Sequence, residues 1–210
     1  MPAWLQARHR WLWFSAMAAW VLLSLTLLPA LPAPWKLVGA TLTVGMLLTL
    51  LARSVQLMLH QRRWQKTMLL GTPVYLSPLL GPCVAGLLRP FIVMPAWLSI
   101  IPAQEQALLL DHAQCRLRAR DPQLLAAAYA LIAVMPWNFP LWWLLHRLRF
   151  AIELDGDARM LALGHPYKEY AAMLRRHGQY YSGLTGAAPF AQDDPGSLRR
   201  RRRIMAANLL

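Results

Sequence analysis

The sequence predicts a mainly α-helical membrane protein, in which an N-terminal transmembrane helical hairpin leads into an α+β domain with a small antiparallel sheet. Two long apolar runs near the N-terminus, residues 11–28 and 37–51, predict the hairpin. The composition agrees: of 210 residues, 57% are hydrophobic and 15% charged, with a mean hydropathy of +0.33. A soluble domain of this size carries more charge and less apolar area. Short β-prone runs bounded by proline and glycine within residues 72–95, followed by apolar residues at helical spacing, predict the sheet and the helices behind it.

The first run holds no charge and follows Arg8, His9 and Arg10. A signal peptide shares that basic start and apolar run. The length of the run, the poor cleavage site at Leu28-Pro29-Ala30-Leu31-Pro32-Ala33-Pro34 and the immediate second run favour a transmembrane helix. The second run extends through Ala52 towards Leu59, so both reach the roughly 20 residues that a span requires. The link between them is too short for a domain and predicts a tight hairpin over residues 1–59. Arg8 and Arg10 precede the first span, Arg53, Arg62, Arg63 and Lys66 follow the second, and only Lys36 lies in the link. The positive-inside rule therefore puts the N-terminus and everything after about residue 60 in the cytoplasm.

In residues 72–95, Pro73-Val74-Tyr75-Leu76-Ser77-Pro78 and Arg89-Pro90-Phe91-Ile92-Val93-Met94-Pro95 read as strands of the sheet. Pro90 and Pro95 confine the last one to a few residues or to an edge. Pro102-Ala103-Gln104-Glu105 opens a helix, with an acid placed to complement its N-terminal dipole. On that helix Leu108, Leu109, His112 and Cys115 or Arg116 share one face. Asp121 before Pro122 is an N-cap candidate for the next helix.

Residues 124–145 are long enough for a third span, but Pro136, Asn138 and Pro140 break them midway. Arg116, Arg118 and Arg120 flank the segment on one side, and His146, Arg147 and Arg149 on the other. A single crossing would force one basic cluster outside. A hydrophobic helical hairpin over residues 123–150, dipping into the bilayer or lying against it, keeps both inside. Residues 167–177 read as a short basic helix and residues 178–195 as a turn-rich segment. Residues 191–210 form a basic tail carrying five consecutive arginines, 199–203. The formal net charge of +13 suits an anionic surface. In so apolar a chain the partners it implies are the lipid bilayer and its anionic headgroups. No aromatic stacking pattern or nucleic-acid motif appears, so no nucleic acid is expected. Cys83 and Cys115 make no disulfide framework, and Cys115, which sits among arginines, reads as a cytosol-facing thiol.

Several landmarks occur together in one order. They are Ser77-Pro78, Gly86-Leu87-Leu88-Arg89-Pro90-Phe91-Ile92-Val93-Met94-Pro95, Arg118-Ala119-Arg120-Asp121-Pro122, Trp137-Asn138-Phe139-Pro140-Leu141-Trp142-Trp143 and Glu153-Leu154-Asp155-Gly156-Asp157-Ala158-Arg159. Through these the chain resembles the membrane zinc metallopeptidases of the beta-lactam sensor and antirepressor type, the fifty-sixth metallopeptidase family. The resemblance covers about residues 70–165 and, by layout, the preceding hairpin. It implies a gluzincin-like α+β domain over residues 60–190 at the bacterial inner membrane, multi-pass and with its bulk facing the cytoplasm.

In that family a helix bears His-Glu-x-x-His with an Asp five residues beyond, and a later Glu completes the zinc ligands. Counting back from Asp121, the motif here is His112-Ala113-Gln114-Cys115-Arg116. His112 matches the first ligand, Ala113 replaces the general base, and Arg116 replaces the second histidine. Glu153 matches the third ligand, Gly156 stands at the usual Cys, and Asp157 matches the Asp after it. A lost general base typically costs about 10²–10⁴ in rate. Arg116 also puts a permanent positive charge where a cation should sit. Pairing of Arg116 with Glu153, a salt bridge mimicking the metal, is expected.

Two readings of the rest stay open. His112, Cys115 and Glu153 offer N, S and O donors that zinc accepts; alternatively His112 is a buried polar residue and Cys115 a small packed one. Asp155 and Asp157 read as a solvated face or a basic partner's docking point, and His60, His146, His165 and His177 have no evident partners. The resemblance implies a pseudoenzyme with no catalytic residue and no cofactor expected, acting as a regulatory or binding partner in membrane signalling. A transcriptional repressor or a full-length sensor peptidase is the implied partner. The alternatives are an active zinc endopeptidase cleaving a cytoplasmic repressor and a structural membrane scaffold. The chain ends after the basic tail, so no extracytoplasmic sensor is expected.

Overall fold

The structure, a computed structural model, describes residues 3–30, 32–78, 82–86 and 89–177. The turn-rich segment and the basic tail expected from the sequence lie outside these residues. Six α-helices and four strands follow in the order α1 (Ala3–Leu27), α2 (Ala33–Gln61), β1 (Gln65–Leu69), β2 (Thr72–Ser77), β3 (Cys83–Ala85), β4 (Phe91–Pro95), α3 (Ala103–Arg118), α4 (Asp121–Val134), α5 (Phe139–Ala162) and α6 (Tyr167–His177).

α1 and α2, of 25 and 29 residues, are both long and apolar enough to cross a membrane. Their apolar side chains largely face outward: Leu22 is 65% exposed, Leu37 69% and Leu48 59%. α1 does not pack chiefly against α2; its main partner is α5. Met17 and Val21 of α1 enter a core with Leu125, Ala128 and Ile132 of α4 and with Leu141, Leu145 and Leu148 of α5. Polar clips hold the far end of this bundle. The Trp20 indole donates to Asn138 Oδ1 at 3.0 Å, and the Asn138 amide donates to Ser24 Oγ at 2.9 Å. Asn138 occupies the N-cap position of α5 but makes no capping bond, because its side chain is spent on α1. On the α2 side, Thr43 Oγ1 donates to the Val134 carbonyl at 3.2 Å, one of the C-terminal carbonyls that α4 leaves without a helical partner. Trp137 lies flat on Gly39, where a Cβ would come within 2.8 Å of its ring.

α4 ends before Pro136, α5 begins at Phe139, and the two helices share a core with α1. The Asp121 expectation is corrected. The N-cap is Arg120, held in the left-handed region at φ 56°, and Asp121 is the first helical residue. Its carboxylate turns inward to Arg10 instead of capping.

The sheet departs from the antiparallel expectation. Its order is β1-β2-β4-β3, with β1/β2 and β3/β4 antiparallel but β2/β4 parallel, so it is mixed. β4 is therefore central rather than an edge. Pro90 precedes it and Pro95 is its last residue, so neither removes a donor from the middle of the ladder. β1, which the sequence left unassigned, pairs with β2 through a two-residue turn. Leu70 (φ 48°) and Gly71 (φ 78°) both take the positive φ that a hairpin turn of this kind requires. β4 alternates across the sheet: Ile92 and Met94 pack with Leu109, Leu110 and Ala113 of α3, while Val93 packs with Trp64 and Cys83 on the other face.

Close packing at Gly39 generates a test. Gly39→Val forces the Trp137 ring off α2 and should destabilise the protein by about 1–3 kcal/mol. Gly45→Val, where a Cβ meets nothing within 4 Å, should leave stability unchanged. Thermal unfolding of the two variants in detergent checks the contrast.

Candidate functional site

The site forms where α3 crosses α5. One turn apart on α3, His112 and Arg116 face Gly156 and Glu153, one turn apart on α5. A Cβ at Gly156 would lie 3.8 Å from His112 Cε1, an ordinary van der Waals contact, so α5 runs alongside the imidazole. Arg116 makes the expected ion pair with Glu153; the two side chains are 16% and 11% exposed. The guanidinium occupies the space between the two helices.

His112 is held by a residue that the sequence reading passed over. Tyr170 of α6 is fully buried; its hydroxyl donates to Asp157 Oδ1 at 2.7 Å and lies 3.0 Å from His112 Nδ1. A phenol has one proton, and here it goes to the carboxylate. His112 Nδ1 therefore carries a hydrogen and donates to Tyr170. The array Asp157–Tyr170–His112 orients the ring as outer-shell carboxylates orient metal-binding histidines. Tyr170 could not be found from the motif, since it lies on the helix read only as short and basic. Apolar neighbours at helical spacing, Tyr170 and Met173, were the available signal.

A second buried cluster adjoins the first. Arg10, from α1, bridges Asp121 at 2.9 Å and Asp155 at 3.2 Å. Arg159 pairs with Asp155, lies 4.0 Å from Asp121, and donates to the Cys115 carbonyl at 3.3 Å. Asp155 and Asp157 are thus buried and bonded, 2% and 1% exposed, and the expected solvated face is corrected. A helix that carries Glu153, Asp155 and Asp157 within one turn cannot point them all one way, and here each finds a partner on a different element. Burial raises the Asp121 carboxyl above its ordinary pKa, against the opposing pull of Arg116, Arg159 and Arg10. Burial likewise lowers that of Arg159, with Asp121 opposing. His165 is not partnerless either: its Nε2 lies 3.2 Å from Asp111.

Among the described residues no three His, Cys, Asp or Glu side chains come together to hold a metal ion. His112, Cys115 and Glu153 therefore do not form the donor set considered from sequence. Cys115 packs in the apolar core with Leu108 and Leu109, and burial raises its thiol pKa against nearby Arg159 and Arg118. A metal needs the thiolate. Cys83, across the site on β3, is pushed up to about 12 by burial, with Arg116 opposing. Both cysteines are buried and outside any disulfide. Ala113 belongs to the same apolar core as Cys115.

A small sheet packed on a motif helix, a later helix bringing an acid to that helix, and an apolar hairpin between them define a metallopeptidase-type domain. The chain belongs to the BlaR1 peptidase M56 family, whose profile matches residues 37–204. No curated protein and no solved structure matches the chain.

Two substitutions separate the clusters. Arg10→Ala leaves two buried carboxylates sharing Arg159 and should cost on the order of 3 kcal/mol. Tyr170→Phe removes the bridge between His112 and Asp157 and should cost about 1–3 kcal/mol. Unfolding midpoints in detergent measure both.

Proposed function

We propose that this chain is a non-catalytic membrane member of the BlaR1 peptidase M56 family that acts as a regulatory or binding partner in membrane signalling. The observation that carries the reading is the Arg116–Glu153 ion pair. A guanidinium bonded to the acid that matches the third ligand repels a divalent cation and supplies the countercharge a metal would give. Ala113 adds to this, since no carboxylate follows His112 to activate a water. The buried Asp157–Tyr170–His112 array then holds α3, α5 and α6 together without that chemistry. A cytoplasmic repressor or a full-length sensor peptidase is the partner this reading favours, engaged through the cleft.

In the same reading α1 and α2 cross the bacterial inner membrane. Their outward-facing apolar side chains support this, since a soluble monomer rarely exposes so large an apolar surface. The α4–α5 hairpin dips in beside α1, because its turn is clipped to Trp20 and Ser24 well along that helix. The basic positions flanking the spans support a cytoplasmic position for the sheet, α3 and α6, with basic residues along the anionic headgroups.

Metal analysis of the full chain, purified in detergent from zinc-supplemented cells, tests the proposal. Native protein should carry far less than one zinc per chain. Arg116→His removes the fixed charge and restores the second imidazole, and should raise zinc content towards stoichiometry. Ala113→Glu added to it should restore measurable peptide-bond cleavage. Near-stoichiometric zinc in the native chain, lost on His112→Ala, would instead establish the active endopeptidase. Crosslinking from the cleft that Arg116→Ala leaves untouched would favour a scaffold over a partner-binding protein.

A further inference from the structure

Where the α4–α5 turn meets α1 and α2, a groove of about 480 Å³ opens, within the roughly 300–1,000 Å³ typical of small-molecule sites. Its walls are apolar, formed by Leu28, Ala40, Val44, Val134 and Trp137. The floor is built rather than incidental. Gly39 admits the Trp137 ring, and Thr43 holds the end of α4 through the Val134 carbonyl. At its mouth stands Lys36, the one charged residue between Arg10 and Arg53. Its ammonium donates to the Pro29 carbonyl at 2.9 Å, which pins the charge beside the groove and leaves it two further donors.

The first carboxylate in the chain is Glu105, none occurs between Asp121 and Glu153, and among the described residues no acid pairs with Lys36. The groove also runs into the outward apolar surface of α2, where Val44 is 56% exposed and Leu48 59%. A ligand arriving along that surface comes from the bilayer, and one that answers Lys36 is anionic.

We propose that the groove seats a single anionic phospholipid, with its phosphate on Lys36 and one acyl chain laid over Ala40, Val44 and Val134. The lipid then ties the α4–α5 turn to α2. This rests on α1 and α2 crossing the membrane, and the test separates the two claims.

The full chain is placed in phosphatidylcholine nanodiscs containing a small fraction of phosphatidylglycerol with a diazirine in one acyl chain. After irradiation, adducts should concentrate on peptides covering residues 36–44 and 134–137. Unlabelled phosphatidylglycerol should suppress them, and the same amount of phosphatidylcholine should not. Lys36→Ala should lower the yield about fivefold, the loss of roughly 1 kcal/mol for one basic residue near an anionic surface, and Lys36→Arg should retain it. Val44→Trp, at an exposed position that tolerates bulk, should fill the groove and remove the adducts. Labelling spread evenly over α1 and α2, equal yield from a phosphatidylcholine probe, or no change in Lys36→Ala would overturn the site. Alkaline carbonate extraction of membranes reads the other claim. Protein released by carbonate sinks the membrane reading and the site together, while retained protein with even labelling sinks the site alone.

Discussion

A guanidinium clamped between two helices sets the character of this molecule. Arg116 projects from α3 and meets Glu153 of α5. In the proposed reading Arg116 stands where the family's second histidine would, which keeps the charge sign of a metal and discards what makes a metal useful. An arginine satisfies the carboxylate and spaces the helices, but it has no open coordination position and cannot lower the pKa of a water. Desolvating such a pair offsets much of its attraction, so the net stabilisation it gives is modest. Removing either partner is another matter, because the survivor is left as a buried charge.

The rest of the polar interior follows from similar constraints. The acids on α5 lie within one turn, and each is answered by a separate element: Glu153 by α3, Asp155 by Arg10 of α1 and Arg159 of α5, Asp157 by Tyr170 of α6. These bonds fasten the N-terminal helix and the last described helix onto the same short stretch. α1 is thereby bound to the site through Arg10 at one end and to the hairpin turn through Asn138 at the other. A displacement of α1 would therefore be felt directly at Asp121 and Asp155.

Much of this was legible in the sequence, for physical reasons that differ by element. The helices that hold the two apolar runs, α1 and α2, are long and apolar enough to cross a membrane, and the Pro136–Pro140 break falls where α4 gives way to α5. The Arg116–Glu153 pair followed from aligning one motif against a later acid. What stayed hidden depends on tertiary contact. β1 carries no alternating pattern, and its turn, Leu70-Gly71, lacks the usual Asn or Asp. The parallel pairing of β2 with β4 depends on β3 folding outside β4, which local sequence does not encode. Asp121 looked like a cap because caps are local, whereas its partner Arg10 is 111 residues away. Tyr170 is distant from the motif and could be read only as one apolar position among several.

The most direct test of the ion pair as the metal's replacement is a double-mutant cycle on Arg116 and Glu153, read by reversible unfolding of the full chain in detergent. The account requires Arg116→Ala and Glu153→Ala to be strongly non-additive, with a coupling of at least about 1 kcal/mol, within the range for contacting charges. Added zinc should leave that value unchanged. Additivity to within about 0.3–0.5 kcal/mol, the behaviour of independent sites, together with stabilisation of the native chain by zinc, would contradict it.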